Sequence, residues 1–166
     1  MRHLHFIGIG GIGMSGLAAW CRALGMKVTG SDRAAAKTEN AAIFTPLKNQ
    51  GIVIFPQDGS YIGEGTPDAL VYSSAIEEDN PDFLAGKGIR RLHRSALLAE
   101  LLSGPGDFCG IAVAGSCGKS TVTGYAAETV PAGSSPSNFA SNCERWSRAM
   151  PFPAAKSGLS SSIAVE

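Results

Sequence analysis

His5-Phe6-Ile7-Gly8-Ile9-Gly10-Gly11-Ile12-Gly13 is the end of a short apolar strand running into a glycine loop, and the residues after it carry a helical pattern of Met14, Leu17, Ala18, Trp20, Cys21 and Leu24. Gly8, Gly10 and Gly13 fit the spacing G-x-G-x-x-G. Lys27-Val28-Thr29-Gly30 then reads as a second strand with Ser31-Asp32 at its carboxyl end, where an acidic residue reaches a ribose or a base. Strand, loop, helix and distant acid together form the dinucleotide fingerprint. The other reading of the loop is a turn whose glycines serve only tight packing between strand and helix.

A second glycine loop lies downstream. Gly115-Ser116-Cys117-Gly118-Lys119-Ser120-Thr121 follows the apolar run Ile111-Ala112-Val113-Ala114 and precedes a segment able to begin a helix. Backbone N–H groups at a helix start lack intrahelical partners and carry partial positive charge, which suits them to phosphate oxygens. Lys119 would set a point charge near the β- and γ-phosphates of ATP, and the Ser120 hydroxyl would be a ligand of the accompanying Mg²⁺. Val113 stands where the full G-x-x-x-x-G-K-[ST] pattern wants glycine, so only the shorter G-x-x-G-K-S is present. The plainer reading is a Gly/Ser turn between strand and helix. Cys117, at a helix start beside Lys119, is placed for a lowered thiol pKa, with a small loop-filling residue as the alternative.

Between the loops, short strand and helix signals alternate. A helical patch around Thr45 to Gln50 closes at Gly51, Ile52-Val53-Ile54-Phe55 reads as a buried strand, and Ala69-Leu70-Val71-Tyr72 as another, followed by Ser73-Ser74-Ala75-Ile76. Ile89 to Leu92 is a shorter strand, and Ser95 is placed to cap a helix carrying Leu97, Leu98, Leu101 and Leu102. This order predicts an α/β fold, a Rossmann-like doubly wound parallel sheet with ligands at its carboxyl edge, followed by the start of a P-loop ATP-binding domain. Ser73 and Ser74 fall on that edge. The turn-rich Ser103-Gly104-Pro105-Gly106-Asp107 marks the boundary.

Composition narrows the function classes. The 166 residues have 14 basic and 14 acidic side chains and no cluster of Lys/Arg interleaved with aromatics, which argues against nucleic acid as a partner. No apolar run is long enough to cross a membrane, and the N-terminal stretch is broken by Gly8 to Gly13 instead of forming a signal peptide. Cysteines at 21, 109, 117 and 143 form no C-x-x-C pair, so reduced thiols and a cytoplasmic setting are expected. His3 and His5 share one face of the first strand without a carboxylate or cysteine at matching spacing, and they read as partly exposed strand residues and not as metal ligands.

The residues resemble those of the Mur ligases, which build the peptide of bacterial cell-wall precursors. The resemblance is carried by His5 to Gly16, Gly30-Ser31-Asp32, Ser73-Ser74-Ala75-Ile76 with Asn80-Pro81, and Leu98-Ala99-Glu100-Leu101 ahead of the phosphate loop, over residues 3 to about 125. The match is to the alanine-adding members; a related ligase that recycles murein tripeptide shares the architecture but is less similar in the first loop. The resemblance implies that residues 1–103 bind a UDP-sugar, UDP-N-acetylmuramate, and not NAD. Gly8, Gly10, Gly11, Ile12 and Gly13 would meet its diphosphate, and Asp32, Ser73 and Ser74 would approach the uridine end. It further implies that residues 108–130 begin the central ATP domain. There ATP phosphorylates the muramoyl carboxylate, L-alanine attacks the acyl phosphate, and Lys119 offsets the developing charge.

Three departures from the family pattern stand out. The loop usually reads G-T-H-G-K-T-T, whereas Ser116, Cys117 and Ser120 stand here, and Ser120 keeps the metal-binding hydroxyl. Gln57 occupies the place where alanine-adding members commonly carry a uridine-contacting His. After about Tyr125 the resemblance stops: Pro131 to Glu166 holds four prolines and nine serines without helical or strand period. A shifted reading frame or early stop accounts for that segment, with a natural flexible tail as the alternative, and either way a chain without the remaining ligase domains is expected not to turn over alone. Two other classes stay open. An NAD-dependent oxidoreductase explains the first loop but not Gly115 to Thr121, and a non-catalytic UDP-sugar-binding remnant explains every motif present.

Overall fold

The computed structural model describes residues 2–35, 41–103, 119–121 and 123–124. The chain divides into two compact units, Met1–Leu101 and Leu102–Glu166. The first is built in the order β1 (His3–Ile7), α1 (Ile12–Ala23), β2 (Lys27–Asp32), α2 (Ala41–Asn49), β3 (Val53–Pro56), α3 (Ser60–Glu64), β4 (Ala69–Tyr72), α4 (Pro81–Ala85), β5 (Arg90–His93) and α5 (Arg94–Leu102).

The five strands form one sheet in the order β3-β2-β1-β4-β5, and every neighbouring pair is parallel. Parallel neighbours need a crossover, and each crossover here carries a helix to one face or the other, as the alternating pattern predicts. Because side chains alternate along a strand, β1 sends Leu4 and Phe6 to one face and Ile7 to the other. The first face buries Leu4, Phe6, Val28, Val71 and Leu92 under Met14, Leu17, Ala18 and Cys21 of α1, Phe44 and Leu47 of α2, and Leu97 and Leu101 of α5. The second packs Ile7 and Leu70 against Ile62 of α3 and Phe83 of α4. The strand order reverses direction between β1 and β4, which opens a crevice at their carboxyl ends.

Several local expectations shift. β2 continues through Ser31 and Asp32, which pair with Ile7 of β1 and Phe55 and Pro56 of β3. β3 is one of the two edge strands, so its Val53 is 54% exposed and the expected buried strand is covered only in part; Ile52, just before it, is the buried residue. α2 begins at Ala41, upstream of the expected patch, and Phe44 and Leu47 anchor it in the core. α5 starts at Arg94, so Ser95 lies inside it and pairs its hydroxyl with His93 Nδ1 at 2.7 Å instead of capping. Two short helices, α3 and α4, add to the expected pattern. Asn80 caps α4 through Oδ1, which accepts from Asp82 N–H at 3.0 Å, with Pro81 in the first turn.

His3 and His5 correct the expectation of partial exposure. Both are buried on the face of α3, with Thr29 Oγ1 between them, 3.1 Å from His3 Nε2 and 3.0 Å from His5 Nδ1. His5 stacks on Tyr61 at 5.3 Å, and Tyr61 stacks on Phe55 at 3.9 Å. Burial, and then the nearby His3, pulls the His5 pKa down to about 3.

Candidate functional site

Gly8 leaves β1 with φ of 72°, a left-handed conformation that a side chain would strain, and this turn brings the chain back over the end of β2. The Ser31 carbonyl accepts the N–H groups of both Gly8 (2.8 Å) and Ile9 (3.0 Å). The Asp32 carboxylate takes the next one, Gly10 N–H, at 2.8 Å through Oδ2, while Oδ1 accepts Ala34 N–H at 2.9 Å. Gly11 N–H then returns to the Gly8 carbonyl at 3.1 Å. The loop is therefore braced by β2 from behind.

The start of α1 is left open. Gly11 is its N-cap and makes no side-chain capping bond, and the first turn has no acidic residue. Met14 and Ser15 N–H turn back to the Gly11 carbonyl at 2.9 and 2.8 Å, whereas the N–H groups of Ile12 and Gly13 find no acceptor among the described residues. Gly11, Ile12 and Gly13 are exposed, Ile12 at 96%. Two outward amides at the positive end of a twelve-residue helix are suited to an anion.

The other loops of the carboxyl edge gather round this point. Ser73 and Ser74 follow β4 in a turn closed by Ile76 N–H on the Ser73 carbonyl at 3.0 Å, and a Cβ placed on Gly8 would lie 3.3 Å from Ile76 Cδ1. Gln57 follows β3, and its Nε2 is buried with no acceptor among the described residues. Gly8, Gly10, Gly11, Ile12, Gly13, Asp32, Ser73 and Ser74 thus share one edge of the sheet.

Three contributors escaped sequence reasoning. Ser31 supplies both the carbonyl that holds the loop and a hydroxyl that donates to the Asp82 carboxylate. Asp82, almost wholly buried, also accepts Gly59 N–H at 2.9 Å, so one carboxylate ties the end of β2 and the loop after β3 to α4. Its burial raises the carboxyl pKa, which the Ser31 and Gly59 hydrogen bonds oppose. Arg94, the first residue of α5, lies with Nη1 2.5 Å from where a Cβ on Gly13 would sit. These partners are far apart in sequence and belong to no spacing motif.

Of the second loop, Gly115, Ser116, Cys117 and Gly118 lie outside the described residues, as do the strand before them, the linker after Ser103 and the segment after Pro131. Lys119, Ser120 and Thr121 are helical and exposed, and Thr123 Oγ1 donates to the Lys119 carbonyl at 2.9 Å. Among the described residues no group of three His, Cys, Asp or Glu is placed to hold a metal, and no helix is long and apolar enough to cross a membrane.

Residues 3–104 match the family model described as "Mur ligase family, catalytic domain". The chain belongs to the Mur ligase family. A Mur ligase relative, the UDP-N-acetylmuramate–L-alanine ligase of Persephonella marina, is 43% identical over 125 residues, which cover 74% of this chain and 25% of the relative. Among solved Mur ligases, a murein peptide ligase from Psychrobacter arcticus superposes with a TM-score of 0.63 and 31% identity over 76% of this chain and 26% of that one. The UDP-N-acetylmuramate–alanine ligase of Thermotoga maritima gives 0.53 and 30% over 61% and 23%. The chain thus spans about a quarter of the length of these relatives.

Proposed function

We propose that residues 1–103 form the UDP-sugar-binding domain of a UDP-N-acetylmuramate–L-alanine ligase, and that residues 108–130 begin its ATP domain after a linker at 104–107. The observation that carries this reading is the division of the loop's N–H groups. Gly8, Ile9, Gly10 and Gly11 donate within the chain, and Ile12 and Gly13 remain for a diphosphate. Ser73, Ser74, Gln57 and Asp32 then lie toward the uridine end. Both Asp32 oxygens already accept loop amides, an arrangement that favours a bracing role over the ribose clamp of an NAD enzyme.

The second loop supports the ligase reading over a simple binding remnant. An ammonium and two hydroxyls on consecutive exposed helical residues, Lys119, Ser120 and Thr121, are the donor set that ATP and its Mg²⁺ require. Gly115, Ser116, Cys117 and Gly118 would supply backbone amides to the phosphates, and Ser120 would ligate the metal. Bound ATP supplies the phosphoryl group that activates the muramoyl carboxylate for attack by the amine of L-alanine. Lys119 would hold positive charge beside that group as it transfers. Substrates of this kind place the protein in the cytoplasm.

Titration calorimetry of the chain with UDP-N-acetylmuramate and with NAD tests the first domain. Tighter binding of the UDP-sugar is expected, and tighter binding of NAD would sink the reading. For the second loop, Lys119→Ala should weaken ATP about tenfold or more through the loss of a charge-assisted contact. Unchanged ATP affinity would reduce the loop to a turn.

A further inference from the structure

We infer that Asp82 is a positioning residue of the substrate site: buried beneath the carboxyl edge, it fixes the glycine loop and the turn at 57–59 to one support, so that the diphosphate end and the uridine end keep a single spacing. The inference rests on the reading of that edge as a UDP-sugar site and adds to it a residue that no ligand reaches.

Asp82 is 1% exposed, so whatever it does for a ligand passes through the groups it holds. On one side the Ser31 hydroxyl donates to Oδ2, and the carbonyl of the same Ser31 receives the Gly8 and Ile9 N–H groups at 2.8 and 3.0 Å. A single residue therefore separates the carboxylate from the glycine loop. On the other side Oδ1 accepts Gly59 N–H at 2.9 Å. Gly59 stands in the left-handed region with φ of 81°, and a Cβ on it would lie 2.8 Å from the Pro81 carbonyl oxygen, so the turn that follows Gln57 is seated on the start of α4. Two parts of the edge thus share one carboxylate, each through a different oxygen.

The support itself is fixed. Asn80 Oδ1 holds Asp82 N–H at 3.0 Å, and the ring of the next residue, Phe83, is buried edge-on to Tyr72 at 5.2 Å with the Arg91 guanidinium 4.1 Å over its centre. No basic side chain is paired with Asp82 among the described residues. Its oxygens have left water for the Ser31 and Gly59 donors, and an ionised acceptor holds such donors about twice as strongly as a neutral one.

Two measurements on Asp82→Ala, Asp82→Asn and Ser31→Ala test the inference. In the ligand-free chain, Asp82→Ala should shift the amide resonances of Gly8 and Ile9 and speed their hydrogen exchange. In calorimetric titration it should weaken UDP about tenfold or more and weaken uridine as well, because both arms are lost. Ser31→Ala, which cuts only the arm to the glycine loop, should weaken UDP and leave uridine within about twofold. Adding it to Asp82→Ala should cost nothing further, since the two residues act through one bond. Asp82→Asn, whose Oδ1 can accept Gly59 N–H while its amide donates to Ser31 Oγ, should fall between parent and Asp82→Ala. Undisturbed Gly8 and Ile9 amides in Asp82→Ala, UDP affinity within about twofold of the parent, or fully additive losses in the double variant would overturn the role of Asp82 and leave the UDP-sugar reading standing. If Asp82→Ala does not fold, Ser31→Ala is judged by the same amides and the same UDP affinity. A parent that prefers NAD to the UDP-sugar sinks the substrate reading, and this inference with it.

Discussion

The Asp32 carboxylate receives the backbone N–H of Gly10 across 2.8 Å, so the acid that ends β2 holds the glycine loop that leaves β1. The next residue inward, Ser31, holds Gly8 and Ile9 with its carbonyl. Two consecutive residues of one strand thus set the path of the loop that leaves its neighbour.

Removing that brace should loosen the loop before it touches the sheet. Asp32→Ala is expected to lower stability by about 1.5–3 kcal/mol, the range for hydrogen bonds to a charged acceptor, and to weaken UDP-sugar binding. Hydrogen exchange at Gly10 should speed up while the amides of β1 keep their protection. Unchanged exchange at Gly10 would show that the loop holds its shape without the carboxylate.

Two glycines should respond to alanine with opposite signs. On Gly30, in β2, a Cβ would lie 2.5 Å from Ile9 Cδ1 and 2.9 Å from the Phe6 carbonyl oxygen, so the loop could not close on the strand. Gly30→Ala should cost about 1–3 kcal/mol from overpacking. On Gly16, inside α1, a Cβ meets nothing within 4 Å, and Gly16→Ala should stabilise the helix by about 0.5–1 kcal/mol. Urea unfolding of both variants checks the pair, and a stabilised Gly30→Ala would refute the close approach.

Acid should unfold the first unit through its buried histidines. His5, with its pKa held near 3 by burial, stays neutral in the fold, while in the unfolded chain it takes up a proton below its ordinary 6.5. Unfolding therefore binds a proton between those values. The contribution is fully present above pH 6.5 and is lost as pH falls toward 3, at about 1.4 kcal/mol per unit. His3, also lowered mainly by burial, acts with the same sign, and Asp82, raised by burial, acts against it at the acid end. Urea midpoints should drop between pH 6.5 and 4.5, and His5→Phe, which can still stack on Tyr61, should flatten the drop. A flat profile in the parent would contradict a neutral buried His5.

The sequence alone determined the fold class and the edge on which the candidate site lies. Strands, helices and glycine turns announce themselves through periodicity and punctuation that depend on neighbouring residues only, and parallel crossovers then put every βα loop at the carboxyl ends. Gly8, Gly10, Gly13, Asp32, Ser73 and Ser74 could be placed on that edge for that reason. Tertiary structure alone decided what each does. Asp32 stands 22 residues from Gly10, and Ser31 stands 51 from Asp82; no local spacing shows that one carboxylate braces a loop and the other locks a strand end and a loop to a helix. Nor does any motif mark Arg94, since its place over Gly13 comes from β5 lying two strands from β1 in the sheet. The burial of His3 and His5 has the same origin. Alternation along a strand assigns a face, but whether that face meets water depends on α3 and α4, which pack there only after the chain has folded.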